Sequence, residues 1–223
     1  MVTLLLVSEL DIASTIQGDA LLARGGWVEK ANVEGGRVWK HENKDVWLWW
    51  FGEGFLMEDR LDERFSSAIE HSVDEVIFLS RHYAASGRPS LTLHVLGVPG
   101  EYPHGERAEH GGIKGKVMLP NPRFASWYRL MCDAAHRHQL VPEFELTIET
   151  THHGPCLEVP TMFIEIGSSE THWGRVDAAE AWADVMEIGL GLDGGPGVGE
   201  WNSTDSSEKR AAKVMLGVGG GHY

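Results

Sequence analysis

Paired histidines and a strand-embedded carboxylate mark the part of this chain best suited to chemistry. His152 and His153 precede a Gly-Pro turn signal, and Glu165 interrupts the otherwise apolar segment 161–166. An imidazole titrates near about pH 6.5, so it can accept or donate protons near neutral pH or bind a metal ion. A carboxylate inside an apolar strand needs a partner to be tolerated there. The combination indicates a catalytic site.

Three further polar groups follow predicted strands. They are Arg81 and His82 after 73–79, His94 after 91–93, and Gly220, Gly221 and His222 after 213–218. In an open α/β sheet, ligands bind beyond the carboxyl ends of the strands. We therefore expect these groups to meet at one rim of the sheet. The alternative for any one of them is an ordinary surface or core histidine.

Apolar segments that alternate with helical patterns define the elements expected to position these residues. The strands are predicted at 3–9, 46–51, 73–80, 91–95, 144–149, 161–166 and 213–218, and the helices at 11–24, 60–71, 122–140 and 172–189. Segment 97–122 is a long loop of the kind that forms binding elements. The alternation predicts a three-layer α/β/α fold with a largely parallel mixed sheet. Segment 46–51 is apolar on both faces, which favours an interior strand over a tryptophan surface for base stacking.

Composition limits the classes of function. The chain carries 33 acidic and 19 basic residues, a formal charge of -14, which opposes long-range attraction to a polyanion. Any nucleic-acid contact must then be local, and the candidates are Arg81, Arg88, Lys114, Lys116, Arg123, Arg129 and Arg137. Cys132 and Cys156 form no disulfide framework, no apolar run reaches the roughly 20 residues of a membrane span, and the start lacks a signal-peptide pattern. We expect a cytoplasmic protein without a membrane anchor.

Five ordered motifs resemble the archaeal and plant type of D-aminoacyl-tRNA deacylase, also called D-tyrosyl-tRNA deacylase. They are F-L-S-R-H at 78–82, P-S-L-T-L-H at 89–94, T-H-H-G-P at 151–155, P-T-M-F-I-E-I-G-S-S-E at 160–170 and G-V-G-G-G-H-Y at 217–223. The resemblance implies a phosphorylase-like or peptidyl-tRNA hydrolase-like fold, hydrolysis of the ester of a D-aminoacyl-tRNA, and zinc. Family members continue beyond the last motif. We therefore expect residues 1–223 to form a single deacylase domain that lacks its C-terminal part.

Roles for the site residues follow from that chemistry. Ester hydrolysis requires an activated water, stabilisation of an oxyanion and a proton for the leaving oxygen. We expect His82, His152 or His153, and His222 to bind zinc or transfer protons, with Glu165 as base or as the group that orients an imidazole. Substrate contacts are expected from Arg81, His94, Ser168, Ser169, Gly220, Gly221, Lys114 and Lys116.

Several alternatives stay open on the sequence. Glu165 could form a structural ion pair with Arg81, and Cys156 could act as a nucleophile. The phosphate contacts of a bound tRNA are expected from the loop around Lys114 and from the helix that carries Arg123 and Arg129. Rival functions are a peptidyl-tRNA hydrolase-like or zinc peptidase-like hydrolase, and an inactive truncated tRNA-binding form. We expect the active form to be a monomer.

Overall fold

A computed structural model describes residues 1–100 and 110–199. The predicted strand 213–218 and the predicted site residues Gly220, Gly221 and His222 lie outside these ranges. The eight strands are β1 Thr3–Ser8, β2 Trp27–Val33, β3 Gly36–His41, β4 Val46–Phe51, β5 Glu75–Arg81, β6 Ser90–His94, β7 Glu145–Ile148 and β8 Thr161–Gly167. The helices are α1 Ile12–Leu22, α2 Leu61–Ile69, α3 Phe124–Arg137, α4 Glu170–Trp173 and α5 Val176–Leu190.

The strands form one mixed sheet in the order β2-β3-β4-β1-β5-β8-β6-β7. Four neighbouring pairs are parallel, β1 with β4, β1 with β5, β5 with β8, and β6 with β7. The other three pairs are antiparallel. The sheet confirms the predicted α/β class, and β4 is interior as expected. No helix in the described ranges is long and apolar enough to cross a bilayer.

Alternation along the strands divides the core between the two faces of the sheet. In β8, Met162, Ile164 and Ile166 belong to the cluster that also contains apolar residues of α1, α3 and α5. Phe163 belongs to the opposite cluster, which includes residues of α2 and of the loops after β6 and β7. Side chains of successive strand residues point to opposite faces, so Glu165 shares the face of Phe163. The site residues therefore lie on the face covered by α2 and loops.

The β2–β3 hairpin adds an antiparallel edge that the sequence did not reveal. Its turn residues Glu34 and Gly35 have φ angles of 49° and 80°. Two successive residues with positive φ match the twist of a two-residue hairpin turn. Most of the outer strand β2 is exposed. It therefore carries no apolar alternation from which a strand could be predicted.

The expectation that all polar groups meet at one carboxyl-terminal rim is wrong. Strand β6 runs antiparallel to β8, and β7 runs parallel to β6, so their carboxyl ends face the edge opposite to those of β5 and β8. In this register His94 lies opposite Phe163, and Thr92 lies opposite Glu165. The polar groups meet over a face of the sheet instead, because Glu165 lies within β8 and the loops after β5 and β7 fold towards it.

Candidate active site

A cleft of about 820 Å³ opens over the face of the sheet that carries Glu165. Its inner part is lined by His82, His152, His153, Phe163 and Glu165, and its outer part includes Leu10, Glu53, Met57, Arg81 and Tyr83. The volume lies within the roughly 300–1,000 Å³ that small-molecule sites occupy. The cleft therefore combines an interior lined by imidazoles and a carboxylate with a partly apolar opening.

The backbone after β5 carries His82 into the cleft. The amide of His82 donates to the carbonyl of Ile166 at 2.9 Å, which extends the β5–β8 ladder by one residue. The ring packs on Gly167, where an added Cβ would lie 2.6 Å from Cδ2 of His82. The indole of Trp173 donates to the His82 carbonyl at 2.8 Å. Glycine at 167 is thus required for the close approach, and α4 fixes the backbone from the other side.

His82, Glu149 and Glu165 form a buried group that we call the carboxylate cluster. Nδ1 of His82 lies 2.7 Å from Oε1 of Glu149 and 3.4 Å from Oε2 of Glu165. Burial alone would lower the pKa of His82, but hydrogen bonds and charge from the two carboxylates outweigh it and raise the pKa to about 10. Burial likewise opposes ionisation of Glu165, yet contacts with His82 and His94 hold its pKa below the ordinary value. His82 is therefore an imidazolium at neutral pH, and Glu165 is a carboxylate.

His94, His152 and His153 form a second group, the imidazole cluster. The ring of His94 stacks on that of His152 at a centroid distance of 4.1 Å and meets His153 edge-on at 4.8 Å. The predicted turn at the histidine pair is present, because His153 adopts a φ of 47°. That conformation brings the rings of His152 and His153 to a centroid distance of 4.4 Å, instead of directing them to opposite faces.

Backbone carbonyls hold each Nδ1 atom of the imidazole cluster. The distance from Nδ1 to the carbonyl oxygen is 3.1 Å between His94 and Val95, 2.7 Å between His152 and Thr150, and 2.5 Å between His153 and Gly154. A carbonyl oxygen only accepts hydrogen bonds, so each Nδ1 carries a proton. In the neutral form of each ring, Nε2 is then left with a lone pair. This is the usual arrangement of metal-binding histidines, whose other nitrogen donates to a carbonyl or carboxylate.

Carboxylate oxygens lie next to two of these Nε2 atoms. Nε2 of His94 lies 3.7 Å from Oε1 of Glu165, and Nε2 of His152 lies 3.5 Å from Oε2 of Glu149. Nε2 of His94 is buried and has no hydrogen-bond partner among the described residues. Two facing acceptors need a proton or a metal ion between them. The ligand atoms of each cluster also lie within 4.8 Å of one another, close enough to hold a cation.

The imidazoles differ in their affinity for protons. Burial lowers the pKa of His152, and the neighbouring His94 and His153 lower it further. His94 is buried too, but the nearby carboxylate of Glu165 outweighs the effect of burial and raises its pKa. In the absence of a metal, a proton on His94 would therefore face Glu165 while His152 stays neutral. Metal binding requires the neutral ring, so a metal ion at Nε2 of His94 would have to displace the proton there, whereas His152 is already neutral.

The structure assembles five of the predicted site residues, His82, His94, His152, His153 and Glu165. Glu149 belongs to the same site and was missed. The signal that could have identified it is a carboxylate at the end of a strand, three residues before a histidine. Ser168 is buried, and its hydroxyl lies 3.1 Å from that of Ser90. Ser169 contacts Thr171 and His172. Their contribution to substrate binding stays a prediction.

Two alternatives from the sequence are wrong. Glu165 does not pair with Arg81, because Arg81 lies opposite Ile166 in the ladder and its guanidinium sits 4.8 Å from the centroid of the Trp173 ring. Cys156 is buried, and burial raises the pKa of its thiol, which disfavours the thiolate that a nucleophile requires. Both Cys132 and Cys156 are free, as expected.

The basic residues predicted to contact tRNA occupy different environments. Lys114 is exposed, whereas Lys116 pairs with Glu158 at 3.0 Å. Arg129 is exposed on α3. Arg123 is buried, and its Nε lies 2.8 Å from Oε1 of Glu75. The expectation that Arg123 contacts phosphate is wrong, because the side chain turns into the core to satisfy a buried carboxylate.

Comparisons with known proteins identify similar chains. The family model for D-aminoacyl-tRNA deacylase matches residues 69–223. The D-aminoacyl-tRNA deacylase of Arabidopsis thaliana is 45% identical over 223 residues, which cover all of this chain and 68% of that protein. The D-aminoacyl-tRNA deacylase of Archaeoglobus fulgidus is 31% identical over 221 residues, which cover 99% of this chain and 69% of that protein.

A crystal structure of a conserved protein of unknown function has the same fold. It superposes with a TM-score of 0.73 at 31% identity and covers 90% of this chain. The match covers 66% of that protein, so the chain spans about two thirds of the length of its relatives.

Proposed function

Because this chain belongs to the D-aminoacyl-tRNA deacylase family, we infer that it hydrolyses the ester bond between a D-amino acid and the 3′ end of tRNA. The observation that carries this inference is the floor of the cleft, where three imidazoles meet two buried carboxylates. The same residue types are required to activate water and to place charge beside a reacting carbonyl. The products are the free D-amino acid and tRNA.

We propose that zinc binds to the imidazole cluster, through Nε2 of His94, His152 and His153. The support is that each Nδ1 is held by a carbonyl and that Nε2 of His94 is buried without a hydrogen bond. Three protein ligands leave a fourth position open in catalytic zinc sites. Zinc bound there would supply a water of pKa near about 7. The set predicted from the sequence was His82, His152 and His222; His82 contacts the two carboxylates through Nδ1, and His222 lies outside the described residues, so that prediction stays open.

The carboxylate cluster has a separate role. Glu165 is held as a carboxylate, and its Oε1 lies near the imidazole cluster, so it can accept a hydrogen bond from the attacking water and orient it. His82 has too high a pKa to donate a proton readily at neutral pH. It instead balances the charges of Glu149 and Glu165 and keeps both carboxylates oriented. His82 and Glu149 are thus positioning residues in this account.

A peptidyl-tRNA hydrolase-like reaction is the relevant competitor, since it also cleaves an ester of tRNA. Wild-type protein should release D-tyrosine from D-tyrosyl-tRNA and leave N-acetyl-L-tyrosyl-tRNA intact, measured as acid-soluble radioactivity. The opposite preference would contradict the assignment. A Glu165→Gln variant that circular dichroism shows to be folded at the assay temperature should be inactive on both substrates, which excludes a contaminating hydrolase.

We also propose a cytoplasmic location and a monomeric state. The location is supported by the free thiols of Cys132 and Cys156, which suit a reducing compartment. Sedimentation equilibrium should give the mass of one chain, and recovery of the protein with a cytosolic marker after fractionation should confirm its location. A dimer mass or co-purification with organelles would contradict these two proposals respectively.

A further inference from the structure

Three consecutive residues at the end of β5, Arg81, His82 and Tyr83, divide between the interior and the mouth of the cleft. The side chain of His82 is 3% exposed and lies on the floor. Its neighbours Arg81 and Tyr83 line the cleft but are exposed, Tyr83 by 70%. The same backbone segment therefore places a guanidinium and a phenol ring at the opening of the cleft that contains His82.

Two further apolar side chains accompany Tyr83 at the opening. Leu10, in the loop after β1, is 65% exposed, and Met57, in the loop after β4, is 64% exposed. A single exposed apolar side chain is ordinary, but several around one cleft mark a binding surface. Three separate loops contribute to this surface, which we call the apolar mouth. It consists of Leu10, Met57 and Tyr83.

The charges around the cleft indicate which part of a tRNA the apolar mouth receives. Glu53 lines the cleft with an exposed carboxylate that would repel phosphate groups, whereas Glu58 is paired with Arg64 at 2.7 Å and Asp11 is buried. The part of the substrate that enters must therefore be the uncharged base and ribose with the attached amino acid. Arg81 is the only Lys or Arg among the described residues of the lining. It lies at the outer end, where the backbone of the nucleic acid has to remain.

We propose that the apolar mouth binds the adenine of the 3′-terminal nucleotide, stacked on Tyr83, and that Arg81 binds the phosphate of that nucleotide. This proposal rests on the proposed function. Proteins bind unpaired bases by stacking them on aromatic side chains. Arginine pairs with phosphate through charge-assisted hydrogen bonds.

The orientation that the substrate must adopt in the cleft favours adenine, instead of the amino-acid side chain, as the group bound at the apolar mouth. The scissile carbonyl must reach the histidine floor, with the ribose on one side and the amino acid on the other. The remainder of the tRNA is large and acidic, so it must extend into solvent. The base therefore faces the opening, where Tyr83 stands, and the amino acid points inward.

Binding of uncharged tRNA tests the adenine subsite without any turnover. Wild-type protein should bind tRNA ending in CCA on the order of tenfold more tightly than the same tRNA lacking the terminal adenosine, the scale expected for one stacked base. Tyr83→Ala should lose this preference, and Tyr83→Phe should keep it. Val176→Ala removes a side chain of similar exposure, 65%, outside the cleft and should behave as wild type. A preference that survives in Tyr83→Ala would overturn the proposal.

A kinetic comparison distinguishes the base from the amino-acid side chain. Tyr83→Ala should raise KM by a similar factor, about tenfold, for D-tyrosyl-tRNA and D-alanyl-tRNA, with kcat nearly unchanged. A rise confined to D-tyrosyl-tRNA would place the amino-acid side chain at Tyr83 and overturn the adenine assignment. If wild type prefers CCA-ended tRNA but releases no D-amino acid, the proposed function fails while the subsite stands.

Discussion

Nδ1 of His82 lies 2.7 Å from Oε1 of Glu149, although the two residues follow strands β5 and β7, which β8 and β6 separate in the sheet. The contact spans β8 and β6 and forms part of the cleft floor above them. Both side chains are almost fully buried, so the loss of one partner would leave the other without charge compensation. The pair therefore links the geometry of the site to the stability of the fold.

Replacement of Glu149 tests its positioning role. We expect Glu149→Gln to slow single-turnover deacylation by about 10–100-fold, the scale for residues that orient a catalytic group. Removal of one carboxylate should also lower the pKa of His82, which NMR of isotopically labelled histidine would measure. Glu145→Gln is a matched control, because Glu145 lies on β7 but is only half-buried and is paired with Arg88 outside the cleft. Equal losses in both variants, or an unchanged His82 titration, would contradict this role.

The stability of the protein should depend on pH through His82. Its pKa is raised from 6.5 to about 10 on folding, so its contribution to the free energy of unfolding is complete below pH 6.5 and is lost as pH rises towards 10. Urea unfolding of wild type and His82→Gln, both with chelator, should therefore differ more at pH 6 than at pH 9.5. A difference that is constant or grows with pH would show that His82 is not held as an imidazolium.

Zinc content tests which cluster binds metal. Untagged wild-type protein should contain about one zinc ion per chain by elemental analysis, as a site with three protein ligands would hold. His94→Ala and His153→Ala should lose it. His82→Gln should retain it, because His82 contacts carboxylates instead of the imidazole cluster. Loss of zinc in His82→Gln together with retention in His153→Ala would favour the set expected from the sequence.

Arg123 should affect folding and leave tRNA binding unchanged. It is buried against Glu75, and removal of one partner of a buried ion pair costs about 3–5 kcal/mol. We expect Arg123→Met to lower the free energy of unfolding by that amount in urea titrations. At a temperature where the variant is folded, tRNA binding by the variant should have the same salt dependence as tRNA binding by wild type. A shallower salt slope would show that Arg123 contacts phosphate after all.

The sequence predicted most of the sheet because its interior strands are continuous apolar segments. Strands β1, β4, β5 and β8 are apolar on both faces, and α3 has a clear apolar side. The direction of β6 was missed. Only residues 82–89 join it to β5, fewer than the dozen or so that a parallel crossover requires, so the length of this connection was the signal for an antiparallel strand.

The site was predictable where its residues are unusual for their element. Glu165 in an apolar strand and the pair His152 and His153 before a turn were identified for that reason. Glu149 was missed because a carboxylate at a strand end is ordinary, and its partner His82 is remote in sequence. Arg123 was misassigned because its burial depends on Glu75, whose own position only the fold determines.

The most direct test of the account is single-turnover release of amino acid from D-tyrosyl-tRNA and L-tyrosyl-tRNA. Wild type and the exposed-site control His136→Ala should release D-tyrosine and leave the L ester intact. His153→Ala should be slower by at least about a hundredfold, the scale for a group that transfers protons or holds the metal. Absence of D-tyrosine release by folded wild-type protein, or full activity of His153→Ala, would contradict the account.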